Sequence, residues 1–207
     1  MSATSPAYSI RTPRLLLRCC EPSDAAPRLE AVTSSGAHLH EFFPPQPEGP
    51  PPLALHVAQL RKMRGGFDLD QDRPYVVVEL HTGRFLGEVG LLTRAGLGAR
   101  EVGYWLRRDA IGQGLATEMT AAVIRTAFEL DKVSRVDLTC DPANAASAAV
   151  ARRLGFTLEG RLRERQLAPH HVRGDILCFS LLASEYPHGP AHAVPIEAFD
   201  YLGQRIL

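Results

Sequence analysis

Hydrophobic residues are concentrated in several short stretches along the chain, and each stretch predicts a β-strand. Leucine and β-branched residues dominate these stretches, and glycine, proline or charged residues bound them. The predicted strands are 14–18, 75–80, 85–92, 100–107, 135–140 and 174–182, with one more beginning at Phe156. Short connections that contain glycine join the second, third and fourth strands, which predicts an antiparallel meander.

The apolar residues that follow Gly114 recur at helical spacing and predict a long amphipathic helix. They are Leu115, Met119, Ala122, Val123, Ala127 and Leu130. Shorter helices are predicted after a cap at Ser23 or Asp24, over 53–63 until near Gly65, and within 141–155. A meander followed by a helix, a strand, a helix and two strands predicts a mixed α/β sheet on which helices pack.

Proline interrupts these patterns in two places. The run 42–52 is too rich in proline for a regular element, and Pro187–Pro195 has the composition of a spacer. The residues after it, 196–207, have a pattern that predicts a short amphipathic helix. We therefore expect a main domain and a C-terminal tail over 187–207.

Composition excludes some classes of partner. The 207 residues include 23 Lys and Arg and 23 Asp and Glu, so the formal net charge of zero favours neither nucleic acid nor a membrane as the main partner. The four cysteines form no C-x-x-C pair, and we expect buried free thiols and a cytoplasmic protein. The N-terminal apolar run Leu15–Leu17 is too short for a signal peptide. The eight histidines lack the neighbours of a metal site, so we expect no metal.

Two glycines, Gly112 and Gly114, stand at the start of the long predicted helix. A helix N-terminus presents unpaired N–H groups, and glycine lets an anion approach them closely. An anion-binding turn and a plain strand-to-helix turn both fit these two residues. The segment matches neither a Walker P-loop nor a Rossmann fingerprint, because it has no G-K-[ST] run and follows a meander.

Several segments together resemble one family. "IRTPRLLLR", "EVGYWL", "GQGLATE", "DPANAASAAVARRLGFTLEG" and "RGDILCFSLLASEY" are similar to the GNAT N-acetyltransferase superfamily and to its ribosomal-protein (RimJ/RimL-type) branch. The resemblance covers Ser9 to Tyr186, which we expect to be one domain, 9–186. It implies an α/β (α+β) fold: a central, mixed, mostly antiparallel twisted sheet with helices on both faces. It also implies acetyl-CoA as co-substrate.

The resemblance assigns the cofactor-binding residues. The family's pyrophosphate loop has the pattern R/Q-x-x-G-x-G/A, in which Ile111 here replaces the Arg or Gln. Arg152 is a candidate for the extra phosphate of the nucleotide or, alternatively, a solvated charge, as is Arg153. Trp105, Leu106 and Arg107 are expected to pair their backbone with the pantetheine arm. The loop N–H groups expected to hold the pyrophosphate belong to Gly112, Gln113, Gly114, Leu115, Ala116 and Thr117.

Asn144 and Ser147 have two interpretations. Alone they fit a helix cap. In the family's N-x-x-S position, Asn144 would contact the cofactor arm and Ser147 would protonate the departing thiolate. Both roles can hold at once. Direct attack by an amine on a thioester needs no enzyme nucleophile, so Cys140 is expected to be a buried strand residue.

Three carboxylates are candidates for the general base: Glu101 first, then Glu88 and Glu164. The branch often has a carboxylate near the position of Gln166, and Glu164 is expected to share its strand face. A water relay is the alternative.

We expect Phe42, Phe43, Phe67 and Tyr104 to contact the acceptor amine. That acceptor is expected to be a protein N-terminal α-amine. A small amine such as an amino acid, polyamine or antibiotic is the alternative. A non-catalytic acyl-CoA-binding module, which Ile111 and Gln166 would suit, is a third reading. A monomer and a homodimer both remain open.

Overall fold

The computed structural model describes residues 6–42, 52–167 and 173–207, which form one sheet with helices packed on it. The strands lie in the order β7-β8-β6-β5-β4-β3-β2-β1-β9, and every neighbouring pair is antiparallel except β5 and β6. The strands are β1 Ser9–Arg11, β2 Leu15–Cys19, β3 Arg73–Glu79, β4 Phe85–Leu92, β5 Ala99–Leu106, β6 Arg135–Cys140, β7 Thr157–Leu167, β8 Arg173–Leu182 and β9 Glu197–Phe199. The predicted mixed, mostly antiparallel sheet and its meander, β3–β5, are confirmed.

Helices cover both faces of the sheet. They are α1 Ala25–Ser34, α2 Gly36–Leu39, α3 Leu53–Asp68, α4 Leu115–Glu129 and α5 Ala145–Arg153. Successive residues of a strand point to opposite faces, and β3 shows the result. Val77 belongs to the larger core with α4 and α5, whereas Val76 packs into a smaller cluster with residues of α1 and α3. No helix among the described residues is long and apolar enough to cross a membrane.

The parallel strands β5 and β6 stay together over only part of their length. Ala99–Val102 pair with Arg135–Leu138, and the two strands then continue without pairing each other. β4 covers the other side of β5 as far as Leu106, and β8 covers the other side of β6 as far as Cys140. The sheet therefore opens in its middle, and the edge of β5 at residues 103–106 that faces the gap pairs with no other described strand.

The C-terminal tail differs from the prediction. Residues 197–199 form β9, which pairs with β1, so the predicted helix is wrong. Ala198 is completely buried, and its N–H and carbonyl bond back to the last two residues, 206 and 207. Asp200 causes the reversal, because its side chain accepts the N–H groups of Leu202 and Gln204. β9, within the tail, is therefore one edge strand of the sheet.

Helix α3 also runs further than predicted, through Gly65 and Gly66 to Asp68. Phe67 explains the extension, because its completely buried ring packs against Tyr8 and Tyr75. This tertiary anchor outweighs the low helix propensity of two glycines.

Candidate active site

A cleft of about 810 Å³ lies where β5 and β6 separate. Its walls are the ends of these two strands, the N-terminal part of α4 and one side of α5. Residues of α2 and of the short helical turn after β4 also line it. The cleft therefore joins an open strand edge to two helix N-termini.

The loop before α4 presents its backbone to this cleft. Gly112 and Gly114 have φ angles of 76° and 77°, a left-handed conformation that glycine adopts at little cost. The N–H of Ile111 bonds to Arg108, and helical bonding resumes when Glu118 N–H donates to Gly114. Within the described chain, the six N–H groups between them, 112–117, donate to no other residue. Six free donors at a helix N-terminus form a site for an anion such as pyrophosphate.

No cation comes from Ile111, whose side chain is exposed at the cleft. Instead Arg14, from the turn between β1 and β2, reaches the loop. Its Nη1 donates to the Gln113 carbonyl at 2.9 Å, and its Nε donates to Glu118 at 2.6 Å. Sequence reasoning did not find this contact, since nothing in a single sequence pairs residues so far apart.

α5 brings Asn144 and Ser147 to the opposite wall. The Asn144 side chain accepts the Ser147 N–H at 2.9 Å, which is the predicted cap. The Ser147 hydroxyl remains available and lies 3.0 Å from the hydroxyl of Tyr104 on β5. Burial raises the pKa of Tyr104 to about 12, so the phenol keeps its proton at neutral pH. The cap uses only the backbone of Ser147, and its hydroxyl can act as a proton donor.

Cys140 lies in the wall beside these groups and is buried, as expected. Burial raises the pKa of its thiol. A protonated thiol is a poor nucleophile, which supports direct transfer over a covalent enzyme intermediate.

The three candidate carboxylates lie in different environments. Glu101 lines the cleft, where Arg94 binds both its oxygens at 2.8 and 2.9 Å and Thr139 donates at 3.0 Å. Glu88 lies under α1, bound by Arg28 at 2.5 Å and by the indole N–H of Trp105 at 2.8 Å.

Glu164 is exposed and lies outside the cleft lining. Its φ of 54° falls where the pairing of β7 with β8 shifts register, between Leu162 and Gln166. The regular strand geometry, on which the expectation of a shared face for Glu164 and Gln166 rested, is therefore interrupted between these two residues. Only Glu101 of the three candidates lines the cleft.

The candidate aromatic residues differ in whether they line the cleft. Phe42 and Tyr104 line the cleft, together with His38 of α2. Phe67 does not, because it is buried in the core, and the expectation that it contacts the acceptor is wrong. Phe43 lies outside the described residues.

Arg107 differs from expectation, whereas Arg152 is exposed and fits the alternative of a solvated helix charge. Arg107 is buried outside the cleft, where Glu30 and Asp109 pair with its side chain and its N–H bonds to Leu86. It therefore fastens β5 to α1 and the following loop, while Trp105 and Leu106 line the cleft.

Arg152 places its guanidinium 5.8 Å from the centre of the Phe179 ring, and Arg153 lines the cleft instead. One position around α5 separates them, because consecutive helical residues point about 100° apart. Metal-binding groups of three or more His, Cys, Asp or Glu residues are absent from the part of the chain that the structure describes.

Comparisons with known proteins agree with this geometry. The family model for the acetyltransferase (GNAT) domain matches residues 14–157. YdaF of Bacillus subtilis, provisionally named a ribosomal N-acetyltransferase, is 26% identical over 183 residues, which span 83% of this chain and 93% of YdaF.

Two solved structures show the same fold. Ribosomal-protein-S5-alanine acetyltransferase from Vibrio fischeri has a TM-score of 0.77 at 21% identity, over 86% of this chain and 98% of its own. RimJ from Mycobacterium smegmatis, solved in complex with CoA-disulfide, has a TM-score of 0.79 at 24% identity, over 90% and 91% of the two chains.

Proposed function

The chain belongs to the GNAT acetyltransferase family and is an N-acetyltransferase, and we propose that it transfers acetyl from acetyl-CoA directly to the α-amine of a protein N-terminus. The observation that carries the use of acetyl-CoA is the row of six free N–H groups, 112–117, at the opening of the cleft. RimJ, which shares this fold, was solved with a CoA adduct. The cytoplasm, where coenzyme and ribosomal proteins meet, is the compartment we propose.

The chain's own residues divide the work of binding. The 112–117 loop holds the pyrophosphate, and the open backbone edge of β5 at Trp105 and Leu106 accepts the amide groups of the pantetheine arm, as a strand edge accepts a peptide. Arg153, on the cleft side of α5, faces the nucleotide end. This orientation places the acetyl group toward Ser147.

Acetyl-CoA supplies an activated thioester, so the remaining tasks are positioning and proton transfer. As the amine forms its bond to the acetyl carbon and the C–S bond breaks, Ser147 donates its hydroxyl proton to the departing sulfur. Tyr104, 3.0 Å away, returns a proton to Ser147. The second proton of the attacking nitrogen, which is lost as the amide forms, passes through water to Tyr104 and restores the phenol. Glu101, the candidate carboxylate in the cleft, takes the proton that the ammonium group loses, through a water where the distance requires it.

The names of the relatives support a protein N-terminus as the acceptor. YdaF and the Vibrio fischeri protein both carry names that refer to ribosomal proteins. Phe42 and His38 of the α2 end form a wall at the acceptor side of the cleft. This supports a peptide N-terminus entering past α2.

The test combines binding and turnover. Calorimetry measures acetyl-CoA affinity, and thiol release is then followed with peptides that carry the N-terminal sequences of ribosomal proteins. Matched peptides with a blocked N-terminus are the control for lysine acetylation, and a panel of small amines tests the alternative acceptor. Turnover only with free N-termini supports the proposal. Turnover only with small amines would contradict the acceptor, and binding without turnover on any amine would contradict the activity.

A further inference from the structure

Glu118 places a carboxylate where the proposed function needs a positive field. It lies in the first turn of α4, only 9% exposed, at the same helix end as the six free N–H groups. An acidic residue stabilises a helix N-terminus. It also repels a second anion that binds there, and burial weakens the solvent screening of that repulsion.

Arg14 and Thr12 occupy this carboxylate completely. The Thr12 hydroxyl donates to one oxygen at 2.6 Å, and the backbone N–H of Arg14 donates to the same oxygen at 3.1 Å. The Nε and Nη2 atoms of Arg14 both lie 2.6 Å from the other oxygen. Glu118 is therefore a paired charge and not a free one.

The same guanidinium touches the anion-binding loop. Its Nη1 donates to the Gln113 carbonyl at 2.9 Å, and its Nη2 would lie 3.6 Å from a Cβ added at Gly114. In a trans peptide the C=O and the following N–H point in opposite directions. The bond that holds the Gln113 carbonyl toward Arg14 therefore makes the N–H of Gly114 point away from Arg14. Arg14 thus acts on both the charge and the geometry of the loop.

We propose that Arg14 is a positioning residue for acetyl-CoA: it neutralises Glu118 and orients the 112–117 loop, in place of the cation that Ile111 does not provide. This role rests on the proposed function. The side chain of Arg14 is 50% exposed, so screening by solvent limits its effect to on the order of tenfold in affinity.

The experiment measures CoA affinity by calorimetry for the full chain and four variants: Arg14→Met, Arg14→Lys, Glu118→Gln, and Arg14→Met combined with Glu118→Gln. We expect Arg14→Met to bind about tenfold more weakly, because it exposes the Glu118 charge. The double variant should regain most of this loss, since the repelling charge is gone. Arg14→Lys should recover part of the affinity lost in Arg14→Met, because it keeps the charge but lacks the forked contacts to Glu118 and the Gln113 carbonyl. Glu118→Gln should bind at least as tightly as the original chain.

Salt dependence separates a charge effect from a structural one. The deficit of Arg14→Met should shrink as sodium chloride rises, because screening weakens the repulsion. Arg11→Met is the matched control: Arg11 lies on β1 over the Phe199 ring, away from the loop, and its loss should leave CoA affinity unchanged. Circular dichroism and thermal unfolding establish that each variant is folded.

Three results would overturn the role of Arg14: unchanged affinity in Arg14→Met, a folded double variant no better than Arg14→Met, or Arg14→Lys as weak as Arg14→Met. If Arg14→Met does not fold, weaker binding by folded Glu118→Gln is the contradicting result. Absence of CoA binding by the unmodified chain has a different meaning, because it would overturn the proposed function itself and this role with it.

Discussion

The two ends of the cleft are built from different parts of the chain. At the α4 end, six consecutive backbone N–H groups, 112–117, form the proposed binding surface. The Arg14 side chain stabilises this loop through its bond to the Gln113 carbonyl. The proposed acceptor side instead uses side chains from distant segments of the cleft lining: Phe42 follows α2, Arg94 lies in the turn after β4, and Glu101 lies on β5. A backbone site tolerates sequence change as long as its conformation survives, whereas a side-chain site changes with each substitution.

The largest predicted loss of acetyl-CoA affinity comes from a substitution within the 112–117 loop, the end of the cleft that is built from backbone groups. Gly114→Trp should abolish acetyl-CoA binding, because a side chain at a φ of 77° strains the loop, and its Cβ would lie 3.6 Å from Nη2 of Arg14, so the bulk of the indole displaces the contact that holds the loop. Calorimetry measures the loss. Gly83→Trp is the matched control, since Gly83 also has a left-handed φ, 70°, but lies in the β3–β4 turn. Equal affinity of the two variants would exclude the loop as the phosphate site.

Removal of the Ser147 hydroxyl should lower turnover and leave the affinity for acetyl-CoA nearly unchanged. Ser147→Ala is expected to lower turnover by on the order of 10²-fold, the usual contribution of general acid catalysis. Acetyl-CoA affinity should change little, because the Asn144 cap bonds to the backbone N–H at this position. Steady-state kinetics and calorimetry on the same sample test this. Full turnover would reduce Ser147 to a cap residue.

Two carboxylates on neighbouring strands give the next comparison. Glu101→Gln should lower turnover by about tenfold or more, since the amide cannot accept the ammonium proton. Glu88→Gln should instead destabilise the fold by about 3 kcal/mol, because Arg28, 7% exposed, would lose its charged partner. Turnover per folded molecule and chemical denaturation separate the two effects. A loss of turnover in Glu88→Gln alone would reverse the assignment.

The aromatic residues give the smallest effect on catalysis. Phe42→Ala should raise KM for the acceptor several-fold and leave stability nearly unchanged, because Phe42 is part of the cleft wall. Phe67→Ala should do the opposite, with a loss of about 3–5 kcal/mol, because its ring is completely buried. Acceptor titrations and thermal unfolding distinguish them. A lower acceptor affinity in folded Phe67→Ala would contradict the separation.

The difference between the two ends also explains what the sequence could predict. The meander, α4 and the Gly112–Gly114 loop carry local signals: apolar runs joined by short glycine connections, helical spacing and glycine at a helix start. Asn144 is likewise a local signal, because asparagine is a preferred N-cap residue and it caps α5.

Other residues carry no such signal. Phe67 and Phe42 are the same residue type, and only tertiary packing decides that Phe67 is core and Phe42 lines the cleft. A register shift in β7 interrupts the regular strand at Glu164, and pairing with β1 makes a strand of residues 197–199. The contacts of Arg14 were not predicted, because its partners Gln113 and Glu118 come much later in the chain.

That separation has a consequence for how the molecule matures. Arg14 and Glu118 are 104 positions apart, so a ribosome synthesises the guanidinium long before the carboxylate that binds it. Contacts between distant residues form late in folding, because the loop between them must first be closed at a cost in entropy. The turn between β1 and β2 therefore locks onto α4 only once the intervening strands have assembled. The full affinity for coenzyme that we propose therefore depends on a contact between the two halves of the chain.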